Sequence, residues 1–86
     1  KKMESHFENG IENGAWRQWH DNGKIKLEVF YENGKENGFW KQWYKNGLLR
    51  SSVKFINGIK DGEELTFNED GSIRSKDIYL NGKVIK

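Results

Sequence analysis

Four aromatic residues, Phe7, Tyr31, Phe55 and Tyr79, stand 24 residues apart along this chain. Each opens a similar stretch: "FENGIENGAWRQWHDNG" (7–23), "YENGKENGFWKQWYKNG" (31–47), "FINGIKDGEELTFNEDG" (55–71), and then the start of a fourth, "YLNGKVIK" (79–86). A fixed period of this length marks a repeat architecture, in which each unit buries its apolar surface against its neighbours. The units run 7–30, 31–54 and 55–78, with partial units at 1–6 and 79–86, and together make a single repeat domain. "KKMESHF" (1–7) aligns with "IKLEVFY" (25–31). The chain therefore enters in mid-unit, and the expectation is a piece of a longer protein.

Inside each unit the turn signals come too often for a helix, and no useful 3.6-residue apolar period exists. Strand is favoured instead: in "KIKLEVFY" (24–31) Ile25, Leu27, Val29 and Tyr31 alternate with polar residues. Strands are expected near 14–20, 24–31, 38–44, 48–55, 62–67 and 72–80, with short end strands at 1–7 and 83–86. The fold class is all-β, an antiparallel meander of consecutive hairpins. Its turns fall at Asn22-Gly23, Asn33-Gly34, Asn46-Gly47 and Asn57-Gly58, because Asn-Gly tolerates the positive φ that tight hairpins need. We read these pairs as turn geometry and not as functional loops.

A two-residue turn at Asn22-Gly23 would set His20 opposite Ile25, Trp19 opposite Lys26, Arg17 opposite Glu28 and Trp16 opposite Val29. In the next hairpin Tyr44 would meet Leu49, Trp43 would meet Arg50, and Trp40 would meet Val53. One face then carries Trp16, Ile25, Leu27, Val29, Tyr31, Trp40, Leu49, Val53 and Phe55 as the packing side. The other carries Trp19, Trp43 and Phe67 opposite the cations Lys26, Arg50 and Arg74. A three-residue gap between Trp16 and Trp19 puts them on opposite faces unless a bulge intervenes. Lys2, Lys26, Arg50 and Arg74 would form a basic column beside the aromatic one. Those outer aromatics and cations are the candidate partner-binding stripe, since exposed aromatics with arginine are enriched at interface hot spots. The competing reading is cross-strand packing.

Composition narrows the function classes. Only 34% of the 86 residues are hydrophobic, so the core is thin. There is no cysteine to form a disulfide or a thiolate metal site, which fits a reducing compartment and sets the expectation of a cytoplasmic location. Fifteen basic against thirteen acidic residues leave a net charge of +2, too balanced to imply nucleic acid. No apolar run reaches transmembrane length. Catalysis has little footing: the two histidines, His6 and His20, sit in no metal or nucleophile motif. His6 reads as an end-strand surface residue and His20 as a turn-flanking one. No enzyme activity, cofactor or metal is expected.

The third unit departs from the others, with Glu64 and Asp77 where Trp and Val stand at 16/29 and 40/53. Like charges directly opposite are unfavourable. We read this as a polar terminal repeat, in preference to a cation site or an acidic contact. "TFNEDGSIRSKD" (66–77) imitates the spacing of a calcium loop through Asn68, Asp70, Gly71 and Asp77, but such a loop needs flanking helices.

The units "FENGIENGAWRQWHDNG" and "YENGKENGFWKQWYKNG" resemble the bacterial variant of the MORN repeat, arrays of which make up the YwqK-type antitoxins of toxin–antitoxin systems. The resemblance covers nearly the whole chain. The better-known MORN form has Gly-x-Gly where this chain places Trp16, Trp40 or Glu64 at the second glycine. What the resemblance implies is an elongated, single-layer sheet with a non-enzymatic, protein-binding role, in the antitoxin case neutralising a toxin by direct binding. It offers no catalytic residues to transfer. The alternatives are a structural or self-associating array, joined through open strand edges at 1–7 and 83–86, and a lipid- or nucleic-acid-binding surface. Lipid and nucleic-acid binding are the weaker of these: acidic residues interleave with the basic ones, and no polybasic cluster marks a membrane surface.

Overall fold

The computed structural model describes residues 3–86. They form ten strands: β1 (Met3–Glu4), β2 (Phe7–Glu8), β3 (Ile11–Glu12), β4 (Gly14–Trp19), β5 (Ile25–Glu32), β6 (Lys35–Trp43), β7 (Leu49–Ile56), β8 (Ile59–Phe67), β9 (Ile73–Leu80) and β10 (Lys83–Val84). Eight make one antiparallel sheet in the order β1-β4-β5-β6-β7-β8-β9-β10, and β2 and β3 form a small separate ladder. The meander expected from the repeat is therefore present. The molecule measures 40 × 36 × 10 Å. Ten ångströms is the thickness of a single sheet with its side chains, so no second layer covers either face.

The same dipeptide does three different jobs. Asn9-Gly10, Asn33-Gly34, Asn57-Gly58 and Asn81-Gly82 are two-residue turns, with Asn φ of 50–53° and Gly φ of 78–81°. Positive φ at both positions is the type I′ signature. Asn22-Gly23 and Asn46-Gly47 are different. His20 N donates to Lys24 O (2.8 Å) and Gly23 N to His20 O (3.0 Å), closing a three-residue loop in which Asn22 has no positive φ. Tyr44, Gly47 and Leu48 repeat this, as do Asn68, Gly71 and Ser72. In each loop the side chain before the glycine shapes the backbone: Lys24 N, Leu48 N and Ser72 N donate to Asn22, Asn46 and Asp70 Oδ1. The third job is inside the strands. Gly38, at φ 115°, lies within β6 where the pairing with β5 skips from Val29–Trp40 to Tyr31–Glu36. Three residues of β6 there oppose Phe30 alone, and glycine takes the bend that an L side chain resists.

The register corrects the sequence reading near each three-residue loop. Trp19 pairs with Ile25 and not with Lys26; Trp43 pairs with Leu49 and not with Arg50; Phe67 pairs with Ile73 and not with Arg74. His20 lies across from Lys24, and Tyr44 from Leu48. The loop is one residue longer than assumed, and Lys26, Arg50 and Arg74 are the extra, bulged residues that restore the original register. Beyond them Arg17–Glu28, Trp16–Val29 and Trp40–Val53 pair as expected. Ile25 and Leu49 consequently leave the expected packing side and join Trp19 and Trp43, since directly opposed residues share a face.

A row crosses the first face of the sheet: Trp16–Val29–Trp40–Val53–Glu64–Asp77. Val29 and Val53, each 3% exposed, are the buried hydrophobic residues of the described chain. Val29 lies between Trp16 and Trp40, and Val53 between Trp40 and Glu64, so the core is this row and not an interior between layers. Tyr31, Phe55 and Tyr79 lie one step along the strands, opposite Gly14, Gly38 and Gly62. The eight-stranded sheet is bordered by β1 and β10, each two residues long.

Candidate binding surfaces

Both faces are open, and they differ in chemistry. The second face carries a polar ladder, Glu4–Arg17–Glu28–Lys41. Arg17 Nη1 donates to Glu4 Oε1 at 3.0 Å and Nε to Glu28 Oε2 at 2.7 Å. These two bonds, Glu28 first, hold the guanidinium protonated beyond its usual range. Its charge is thus satisfied within the sheet. On the same face Lys41 Nζ lies 5.2 Å from the Phe39 ring, and Lys76 pairs with Glu63 at 2.8 Å.

The first face holds an open depression of about 480 Å³ beside the Trp40–Val53–Glu64 row. Trp40, Tyr44, Arg50, Ser51 and Arg74 line it, with Gln42 and Thr66 between. Arg50 and Ser51 reach the same side because a bulge turns two successive side chains to one face. The Arg50 guanidinium rests 5.6 Å from the Tyr44 ring centroid, and the Tyr44 hydroxyl donates to Phe67 O at 2.7 Å. Thr66 and Ser75 share a hydroxyl hydrogen bond. Ser51 Oγ is enclosed and has no hydrogen-bond partner. Next to the depression Lys60 Nζ bonds Glu64 at 3.0 Å and lies 4.9 Å from the Tyr79 ring. That hydrogen bond is the main reason the Lys60 ammonium stays protonated above its usual range.

The sequence-derived stripe is therefore divided. Arg50 and Arg74 line the first-face depression, Lys26 occupies the equivalent bulge of β5, and Trp19 and Trp43 lie against Ile25 and Leu49. Phe67 enters through its carbonyl, which Tyr44 holds. Lys2 of the expected column lies outside the described residues. What the sequence reading missed is Tyr44 as the partner of Arg50, and the only sequence signal would have been the loop length.

Ties between units keep the surface stiff. His20 Nε2 donates to Trp43 O at 2.9 Å, the position that Tyr44 OH repeats one unit later on Phe67 O. Asn22 Nδ2 and Asn46 Nδ2 donate to Lys45 O and Glu69 O, each at 2.8 Å. On the opposite side of the sheet Gly34, Gly58 and Gly82 N donate to Glu12, Glu36 and Lys60 O at 2.7–2.9 Å. The first two units thus grip the next at both ends of their strands, and the third grips the fourth through Gly82. No cluster of His, Asp or Glu suited to a metal ion occurs among the described residues. Residues 66–77 are a hairpin in which Asp70 accepts from Ser72. Both of Ser72's bonds, the hydroxyl's foremost, lower the Asp70 pKa.

Consecutive hairpins of one period, tied edge to edge into a single open sheet, define a β-hairpin repeat protein. The family model described as "MORN repeat variant" matches residues 12–33 and 60–81, which is 44 of the 86 residues, at a spacing of twice the 24-residue period. The chain belongs to the MORN repeat variant family. Comparison with curated proteins and with solved structures gives no match. The family is a non-catalytic repeat motif that serves in protein and membrane interactions.

Proposed function

We propose that this chain is a protein-binding scaffold and, in its most concrete form, an antitoxin or immunity-like protein that neutralises a toxin by direct binding in the cytoplasm. The observation that carries the scaffold reading is the one-layer sheet. Trp16, Trp40 and Tyr44 remain half-exposed on a surface that the inter-unit ties hold in place. A rigid array of aromatic and arginine side chains loses little entropy on binding, which is what an interface hot spot requires. The resemblance of the Gly-x-Trp units to YwqK-type arrays supports the antitoxin form. The test is co-expression with a toxin encoded beside it in the source genome. Growth should be rescued, and the two chains should co-purify in fixed proportion. Alanine at Tyr44 and Arg50, which share the first face, should weaken capture while the strand signal in circular dichroism persists. Unfolding of those variants would make the residues scaffold only.

A further inference from the structure

We infer that the first-face depression takes an extended acidic segment of a protein partner, with carboxylates on Arg50 and Arg74 and the intervening side chains against Trp40 and Tyr44. The inference rests on the scaffold reading and names where and what the scaffold binds. The one other arginine of the chain, Arg17, is consumed internally, fixed by two carboxylates. Arg50 and Arg74 differ. Neither makes an ion pair among the described residues, although both line one depression. The acid nearest to them in that wall, Glu64, is already held by Lys60.

The geometry suits a strand-like ligand. Arg50 and Arg74 sit on β7 and β9, two strand spacings or about 9–10 Å apart. An extended chain advances about 3.3 Å per residue, so carboxylates two or three residues apart fall within reach of both guanidiniums. Arg50 is already oriented by stacking on Tyr44, which reduces the side-chain entropy lost when a carboxylate arrives. A flat anionic membrane fits less well, because Asp77 and Glu64 share this face and would meet the same charged plane. A peptide running along the arginines keeps clear of Asp77, which does not line the depression, and meets Glu64 already neutralised by Lys60.

The test titrates the whole chain with a synthetic peptide of alternating Glu and Tyr, followed by tryptophan fluorescence, since Trp40 lines the depression. The parallel titrants are the matching Gln–Tyr peptide and phosphatidylcholine vesicles with and without phosphatidylserine. The Glu–Tyr peptide should bind and should weaken with added salt. Arg50→Gln and Arg74→Gln should each weaken it about tenfold, whereas Lys54→Gln, which removes the same charge from the other face, should leave it unchanged. Circular dichroism on each variant confirms that the sheet persists. Equal binding of the Gln–Tyr peptide, indifference to both arginine variants, retention only on phosphatidylserine vesicles, or no peptide binding at all would each overturn the assignment. Failure of the scaffold reading looks different: no partner co-purifies with the unsubstituted chain. If a partner does co-purify but both arginine variants retain it, only the depression is misassigned.

Discussion

The row that begins Trp16–Val29–Trp40–Val53 ends in Glu64–Asp77, and the two ends of it solve different problems. At the first end a valine is sealed between indoles, and its burial supplies the core. At the other, two carboxylates face each other across neighbouring strands, an arrangement that is normally unfavourable. Lys60 relieves it, with its ammonium on Glu64 and against the Tyr79 ring. The chain supplies the cation itself, so the acidic pair calls for no bound metal. One backbone plan therefore accepts either an apolar or a charged rung, because register is set by turns and bulges and not by the identity of the row.

The largest effect expected from this contrast is at Trp40. It stands between Val29 and Val53 and covers both, so Trp40→Ala should cost about 2–4 kcal/mol in urea unfolding. Glu64→Ala, at the equivalent place one unit on, should cost less than about 1 kcal/mol, because it removes a partly exposed ion pair. Equal costs would show that the two rungs are energetically alike and that burial of the valines does not organise the sheet.

A sharper version rebuilds the third unit on the pattern of the second. Glu64→Trp combined with Asp77→Val should stabilise the sheet by about 1 kcal/mol through the new cross-strand pair. It should also lower solubility, because the row would become apolar from Trp16 to position 77. A loss of stability would mean that Lys60, deprived of its partner, costs more than the new apolar pair contributes.

That one residue separates the expected register from the observed one shows what could be read from the sequence. The 24-residue period and the alternation of Ile25, Leu27, Val29 and Tyr31 were enough to place the strands and the meander. They also gave Trp16–Val29 and Trp40–Val53 correctly, although two errors cancelled: the loop at Asp21–Gly23 is longer by one, and the bulge at Lys26 removes that one again. Asn-Gly reports only that φ can be positive. It does not say whether the pair forms a two-residue turn, closes a three-residue loop, or bends a strand as at Gly38. The distinction lies in hydrogen bonds between units, such as Gly34 N to Glu12 O, which no local pattern encodes. For the same reason the bulged Arg50 was set against Trp43, while in the folded sheet it stacks on Tyr44.

The smallest effect, and the one that separates the two kinds of unit by titration, is expected in alkali. Lys60 belongs to the charged unit, and its pKa is raised above 10.5, first by the hydrogen bond to Glu64. Tyr31 belongs to a tryptophan unit, and its pKa is raised above 10.0, first by burial and then by Glu12 and Glu36. Both values are higher in the folded state than in the unfolded chain. Each contribution is therefore complete below the unfolded pKa and is lost as pH rises through the folded one. Stability should be level from neutrality to about pH 10 and fall above it. For Lys60, whose side chain is 35% exposed, the loss should stay under about 1 kcal/mol. Urea midpoints at about pH 8 and about pH 11 measure the fall. Lys60→Gln should flatten part of it and Tyr31→Phe the rest. If Lys60→Gln left the alkaline fall unchanged, the ion pair would not be what reconciles Glu64 with Asp77.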